Sequence, residues 1–261
     1  LMHEGWVDIP LKWENDRYDS NKPLFIANNA SDGKELKYSS MISTYIDGLN
    51  NAALNIYNNR IAITNNNAIG LYQFAYQMDI PFYTGAYNRI VLEMDMLLQK
   101  QLKKPIDKDE QDQWVKDHSF CYDLNLPMKV SKKMLLDFMK SDLDRFFFMH
   151  YGIKAKVERK SLECLVLQYK DKKLCGEIDK KKLHLTGTKK TEFNRFVEKL
   201  SFVHRKLKTP IVSKVSQIDS QFHIMSDLTN LEHVNKELEN YNLEIKKEVA
   251  QVDVLVIYQI K

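Results

Sequence analysis

No two of the three cysteines in this 261-residue chain stand close in sequence. Cys121, Cys164 and Cys175 form no C-x-x-C pair, no zinc-ligand spacing and no disulfide scaffold, and free cysteines of this kind commonly pack as small buried hydrophobes. Glycine and proline are also scarce, at 8 and 6 residues, which disfavours a loop-rich β-sandwich. No apolar run approaches the ~18 residues needed to span a bilayer as a helix. The opening Leu1-Met2-His3-Glu4-Gly5 has no charged-then-apolar signal pattern, which leaves open a cytoplasmic protein or a targeting segment upstream. A net charge of +4, with 39 basic and 35 acidic residues, lacks the concentrated excess that marks a nucleic-acid footprint.

What is present is a globular composition, 44% hydrophobic and 28% charged, with two stretches of similar order. Residues 1–59 are polar and irregular, broken by Pro10 and Pro23. Trp6, Trp13, Tyr18 and Phe25 are spaced to pin an extended N-terminal arm, and Met41–Ile46 can form a short helix or strand. From Arg60 the pattern predicts strand 61–63, helix 66–78 and strand 89–94. A charged insertion follows over 95–117, then a strand at 120–126, a helix opened by Ser131 and stopped by Gly152, and two strands at 153–158 and 162–168 around a turn at Arg159-Lys160. A lysine-rich connector (170–181) follows. The order then returns in 182–261: strand 183–185, helix 191–203, strands 211–215 and 222–225, a helix opened by Thr229-Asn230-Leu231-Glu232, and a terminal hairpin of strands 243–249 and 252–260.

Letters repeat as well. Arg60-Ile61-Ala62-Ile63-Thr64 answers Lys182-Leu183-His184-Leu185-Thr186, and Glu158 to Val166 answers Glu248 to Val256. The predicted fold is therefore α+β: two tandem β-α-β-β-α-β-β units, helices packed on small mixed or antiparallel sheets, forming a pseudo-symmetric pair. The terminal strand is expected inside its sheet, with 61–63 and 183–185 as edge candidates.

The segments Asn21-Lys22-Pro23-Leu24-Phe25, Asp32-Gly33, Leu71-Tyr72-Gln73-Phe74-Ala75-Tyr76 and Asn88-Arg89-Ile90-Val91-Leu92-Glu93 occur in a telling order. They continue through Tyr122-Asp123-Leu124, Asp142-Leu143-Asp144-Arg145-Phe146-Phe147, Glu163-Cys164-Leu165-Val166-Leu167 and Val254-Leu255-Val256-Ile257. Across nearly the whole chain this resembles the C-terminal region of TlpA-type thioredoxin-like envelope proteins of Gram-negative bacteria, related to a bacterial domain family of unknown function. The resemblance implies a place in the cell envelope or periplasm, beside a thiol–disulfide oxidoreductase. The thioredoxin Trp-Cys-x-x-Cys motif is missing here, so a domain carrying it would lie before Leu1. The second stretch also resembles the short N-terminal docking modules of secretins and outer-membrane transporters, which favours binding over chemistry.

Candidate site residues are few, and each has an ordinary structural reading. Cys121 and Cys164 can face each other as a redox pair or be two core thiols. Cys175 has neighbouring lysines that would lower its pKa. His184 and His223, with Asp219 or Asp227 as a third ligand, have no metal-ligand spacing behind them. Asp142, Asp144 and Arg145 suggest acid–base work only if they converge on a cleft; a helix surface is the simpler placement. Lys170, Lys172, Lys173, Lys180, Lys181, Lys182, Lys189 and Lys190 form the one concentrated basic segment, without the interleaved aromatics that stack bases. The sequence thus assigns no catalytic, cofactor or metal residue. It favours a non-catalytic module that binds a protein partner, over an enzyme with a site between the two units or a binder of anionic polymer through the lysines.

Overall fold

The computed structural model describes residues 37–80, 88–171, 191–204, 209–215, 222 and 224–260. Among them the fold is α+β, with six α-helices and two four-stranded sheets. The first sheet is antiparallel in the order β1-β5-β3-β2, built from β1 (Ser39–Thr44), β2 (Ala53–Tyr57), β3 (Arg60–Asn67) and β5 (Ser119–Asn125). Alternation explains it: Ile61 and Ile63 on β3, and Phe120, Tyr122 and Leu124 on β5, point to one buried face. The irregular arm expected over residues 1–59 thus contains two strands of this sheet. Its aromatic anchors Trp6, Trp13, Tyr18 and Phe25 lie outside the described residues.

The second sheet is mixed, in the order β4-β8-β6-β7, from β4 (Ile90–Glu93), β6 (Ile153–Tyr169), β7 (Ile211–Ser213) and β8 (Leu243–Gln259). Here two expectations are corrected. The predicted turn at Arg159-Lys160 does not exist, and neither does the terminal hairpin. Each segment is one continuous 17-residue strand, and the two pair with each other in antiparallel register from Ile153↔Gln259 to Tyr169↔Leu243. Neither segment contains Gly, Pro or an Asn-Gly pair, so nothing supplies the positive φ of a tight hairpin. The polar middles, Glu158 to Ser161 and Glu248 to Gln251, look like turns in sequence. In the fold they are the largely solvent-facing centre of the ladder.

Parity divides this sheet cleanly. Ile153, Ala155, Leu255 and Ile257 pack into a core with α1 (Ala68–Ala75) and α4 (Lys132–Tyr151). At the other end of the same face, Leu165, Leu167, Leu243 and Ile245 pack with α5 (Thr191–Val203) and α6 (Leu231–Leu238). The opposite face holds Cys164, Val166, Val252, Val254 and Val256. The first core also contains Ile61, Phe120 and Leu124, so α1 and α4 are shared between the two sheets.

The remaining expectations divide. β8 is interior as expected, but so is β3, which the sequence made an edge; the second edge candidate, 183–185, lies outside the described residues. The insertion 95–117 forms α2 (Met96–Leu102) and α3 (Lys108–His118). The strand expected at 222–225 is absent among its described residues. Phe222 instead packs on Phe193, Phe196 and Tyr241. The Glu237 carboxylate accepts from Met225 N at 2.7 Å and Ser226 Oγ at 2.5 Å, satisfying backbone that a ladder would otherwise bond.

Helix α4 opens on Ser131, whose Oγ accepts from Met134 N at 3.2 Å, and closes on Gly152 at φ 68°. A side chain there meets the left-handed penalty, so Gly152→Ala is expected to cost about 1–2 kcal/mol in urea unfolding. An unchanged midpoint would show that the helix stop does not depend on glycine.

Candidate docking cleft

The structure does not bring the candidate redox pair together. Cys121 is on β5 of the antiparallel sheet and Cys164 on β6 of the mixed sheet, both as free thiols. Cys121 Sγ donates to Asn65 Oδ1 at 3.3 Å and accepts from Asn65 N at 3.3 Å. This braces a bulge where Asn65 stands at φ 45°. Cys164 is fully buried among valines, and burial pushes its thiol pKa up, which keeps it protonated and unreactive. Cys175, His184, His223, Asp219 and the lysines from 172 to 190 lie outside the described residues. Lys170 forms an exposed ion pair with Glu239 at 2.6 Å. Asp227 accepts from Thr229 N and Oγ1 at 2.9 and 2.7 Å, and its carboxyl pKa is lowered chiefly by the hydroxyl. Among the described residues, no group of three or more His, Cys, Asp or Glu side chains could hold a metal ion.

Asp142 and Asp144 do not lie on the polar face of their helix. Asp142 is 6% exposed. Its carboxylate accepts from Ser40 Oγ at 2.5 Å, from Tyr122 OH at 2.9 Å and from Arg145 Nη2, tying α4 to β1 and β5. Asp144 Oδ1 accepts from Tyr72 OH at 3.0 Å and Ala155 N at 3.1 Å, tying α4 to α1 and β6. Burial dominates here, raising the Asp144 carboxyl pKa above its ordinary 3.8 and pushing the Tyr72 and Tyr122 phenols upward. Of the three, only Arg145 has a mostly exposed side chain. Helical spacing puts 142, seven residues after Leu135, beside the Leu135–Met139–Leu143 stripe and 144 off it, and both meet tyrosine or serine hydroxyls from other elements, which periodicity cannot see. These carboxylates are spent on joining helix to sheets.

The concave feature the sequence missed lies beside β4. A cleft of about 640 Å³ is lined by Ile69 of α1, Ile90 and Leu92 of β4, and Leu102 of α2, with Lys103 and Lys104 the charged groups of its lining. Local signals build it. Asn67 Oδ1 accepts from Gly70 N at 2.8 Å to start α1, and Asp95 Oδ1 accepts from Leu98 N at 2.8 Å to start α2. Pro105 follows the end of α2. Trp114 Nε1 donates to Gln101 O at 3.0 Å, fastening α3 against α2. Beyond α2 a wider groove of about 1060 Å³ carries mixed charge, its lining holding Lys100, Lys103 and Lys104 together with Asp109, Glu110 and Asp117.

β4 is also a sheet edge. It pairs in parallel with β8, and Leu255 N donates to Arg89 O at 2.9 Å. That bond sets the parallel ladder: Arg89, Val91 and Glu93 turn backbone groups toward β8, while Ile90 and Leu92 turn theirs away. The two residues that line the cleft are thus the two that present outward N–H and C=O groups. Among the described residues no strand pairs with that side.

No protein-family model, no curated protein and no solved structure matches this chain. Among the described residues no helix is long and apolar enough to cross a membrane.

The role given to Asp144 has a measurable pH signature. A carboxyl whose folded pKa is raised holds its proton more tightly when folded. Its stabilising contribution is therefore present at low pH and is lost as pH rises from 3.8 through the folded value. Asp144→Asn keeps an acceptor for Tyr72 and Ala155 and removes that loss, so the wild type should weaken relative to it across this window. Asp144→Ala strands two buried donors and should cost about 2 kcal/mol or more at every pH. Equal destabilisation by Asn and Ala at pH 7 would mean that the negative charge itself is required.

Proposed function

We propose that this chain is a non-catalytic interaction module that binds a protein partner in the cleft beside β4. The observation that carries the reading is the coincidence of an apolar cleft with an open strand edge at Ile90 and Leu92. Sheet edges with adjacent side-chain pockets are a general means of taking up polypeptide. The acidic groups that would be first candidates for catalysis, Asp142 and Asp144, are engaged in holding helix to sheet.

Within the same proposal, the chain is built from two tandem units. Several correspondences support this. Strands β6 and β8 bury nearly the same positions, and their residues correspond at numbers 90 apart, as in Glu158 and Glu248. The left-handed helix stops Gly152 and Asn242 share that spacing. So do the bonds Ile260 N to Gly152 O and Lys170 N to Asn242 O, each 2.8 Å. Likewise Leu255 N donates to Arg89 O and Leu165 N to Pro210 O, each 2.9 Å, at the starts of β4 and β7. The attachment of the module to an envelope thiol–disulfide oxidoreductase rests on the sequence resemblance.

Site-specific crosslinking tests the docking reading. A photo-reactive residue at Lys103 should give a discrete adduct in cells that make the chain natively. The same group at Met225, exposed beside α6, should not. Adducts of equal yield from both positions, or from neither, would remove the cleft as the docking site.

A further inference from the structure

The two edges of the mixed sheet are treated differently. At β7, Leu165 N donates to Pro210 O and Lys214 N to Leu167 O, each at 2.9 Å, so Ile211 and Ser213 carry the outward groups. Arg89 reaches that edge: its Nη2 donates to Ile211 O at 2.9 Å, and Asn88 Nδ2 donates to Thr209 O at 3.3 Å. Ser213 Oγ in turn accepts from Val215 N and donates to Val215 O. The cavity beside β7 is about 320 Å³, half the size of its counterpart, and Arg89 forms part of its wall. Pro210 occupies in β7 the place that Arg89 occupies in β4. Having neither an N–H nor a side-chain donor, it can offer Ile90 no such cap. One edge is capped by an arginine, and among the described residues the other has no equivalent.

We propose that β4 takes up an extended segment of a partner protein as an added strand, apolar where it fills the cleft and acidic where it crosses Lys103 and Lys104. This rests on the docking reading above and gives it a mode and a chemistry. β4 offers outward backbone groups at only two residues, so main-chain bonds alone give weak binding, and side chains must supply the remainder. Ile69, Ile90, Leu92 and Leu102 provide the apolar floor. The charge on the cleft's lining is of one sign: Lys103 and Lys104 are exposed, and among the described residues Lys103 Nζ donates to the neutral Gln99 Oε1, at 3.1 Å. The carboxylate at the end of β4, Glu93, is already engaged by Lys160. The acids Asp109, Glu110 and Asp117 line the adjoining groove, which Lys103 and Lys104 also border, and not this cleft, so an acidic segment lying in the cleft meets attraction at the lysines and a basic one meets repulsion.

The test is selection from a library of random peptides, roughly ten residues long, displayed on phage, against the whole chain. The enriched pool should be rich in Asp and Glu, show apolar residues in alternation, and bind more weakly as salt rises. Lys103→Glu with Lys104→Glu should weaken it by about tenfold or more. Leu92→Pro removes an outward N–H without touching a ladder bond and should abolish it, with melting temperature recorded for both variants. A pool sensitive to Leu92→Pro but lacking acidic bias, or indifferent to the lysine reversals, overturns the acidic partner and leaves the docking reading standing. A pool indifferent to every cleft variant, or no enrichment at all, overturns both. A concentration-dependent dimer in sedimentation that Leu92→Pro dissolves would assign the edge to a second copy of this chain and overturn the proposal.

Discussion

The antiparallel ladder between β6 and β8 is the constraint on which the other elements depend. Its two 17-residue strands meet in unbroken register, and on one face the buried apolar residues stand toward the two ends, with a largely polar and exposed stretch between them. A one-residue slip would send Ile153, Leu255 and Ile257 to the valine face and Val254 and Val256 to the helices, so the register is held by both faces at once. Because the apolar positions sit at the two ends, the helices must gather in two groups, one over each end. The short parallel strands β4 and β7 then attach along opposite edges.

Helix α4 converts that sheet into a two-sheet structure. Its apolar stripe of Leu135, Met139, Leu143 and Phe147 is buried in the shared core, and two carboxylates on the same helix reach in different directions. Asp142 binds the antiparallel sheet through Ser40 and Tyr122, and Asp144 binds the mixed sheet through Ala155 and helix α1 through Tyr72. Buried carboxylates of this kind are favourable only when their oxygens are satisfied. Here the partners come from four separate elements, so the polar groups fix the orientation of the helix that the apolar stripe merely attracts.

The local signals were readable from residues alone. The α+β class, the caps at Ser131 and Gly152, the interior placement of the last strand and helix 191–203 follow from periodicity and capping chemistry. The missed features share one cause: each depends on what a residue meets across the fold. The centre of the long ladder is polar because it faces water, and polarity in sequence is shared by turns. Ile61–Ile63 looked like an edge because it is short, yet β2, hidden in a polar stretch, pairs beside it. Asp142 and Asp144 looked like surface charge until Tyr122 and Tyr72 arrived from other elements. The cleft was illegible because Ile69, Leu92 and Leu102 are each an ordinary core residue, and only their convergence beside an unpaired edge distinguishes them.

The functional account rests on an asymmetry between two similar edges, Arg89 closing β7 and Pro210 offering nothing to β4. Amide hydrogen exchange followed by NMR tests it at single residues. In the free chain Val91 N–H, bonded into the ladder, should exchange slowly, while Ile90 and Leu92 N–H should exchange faster by orders of magnitude and slow down when an edge-binding peptide is added. Protection of Ile90 and Leu92 equal to that of Val91 in the free chain would contradict the account, because the edge it depends on would already be occupied.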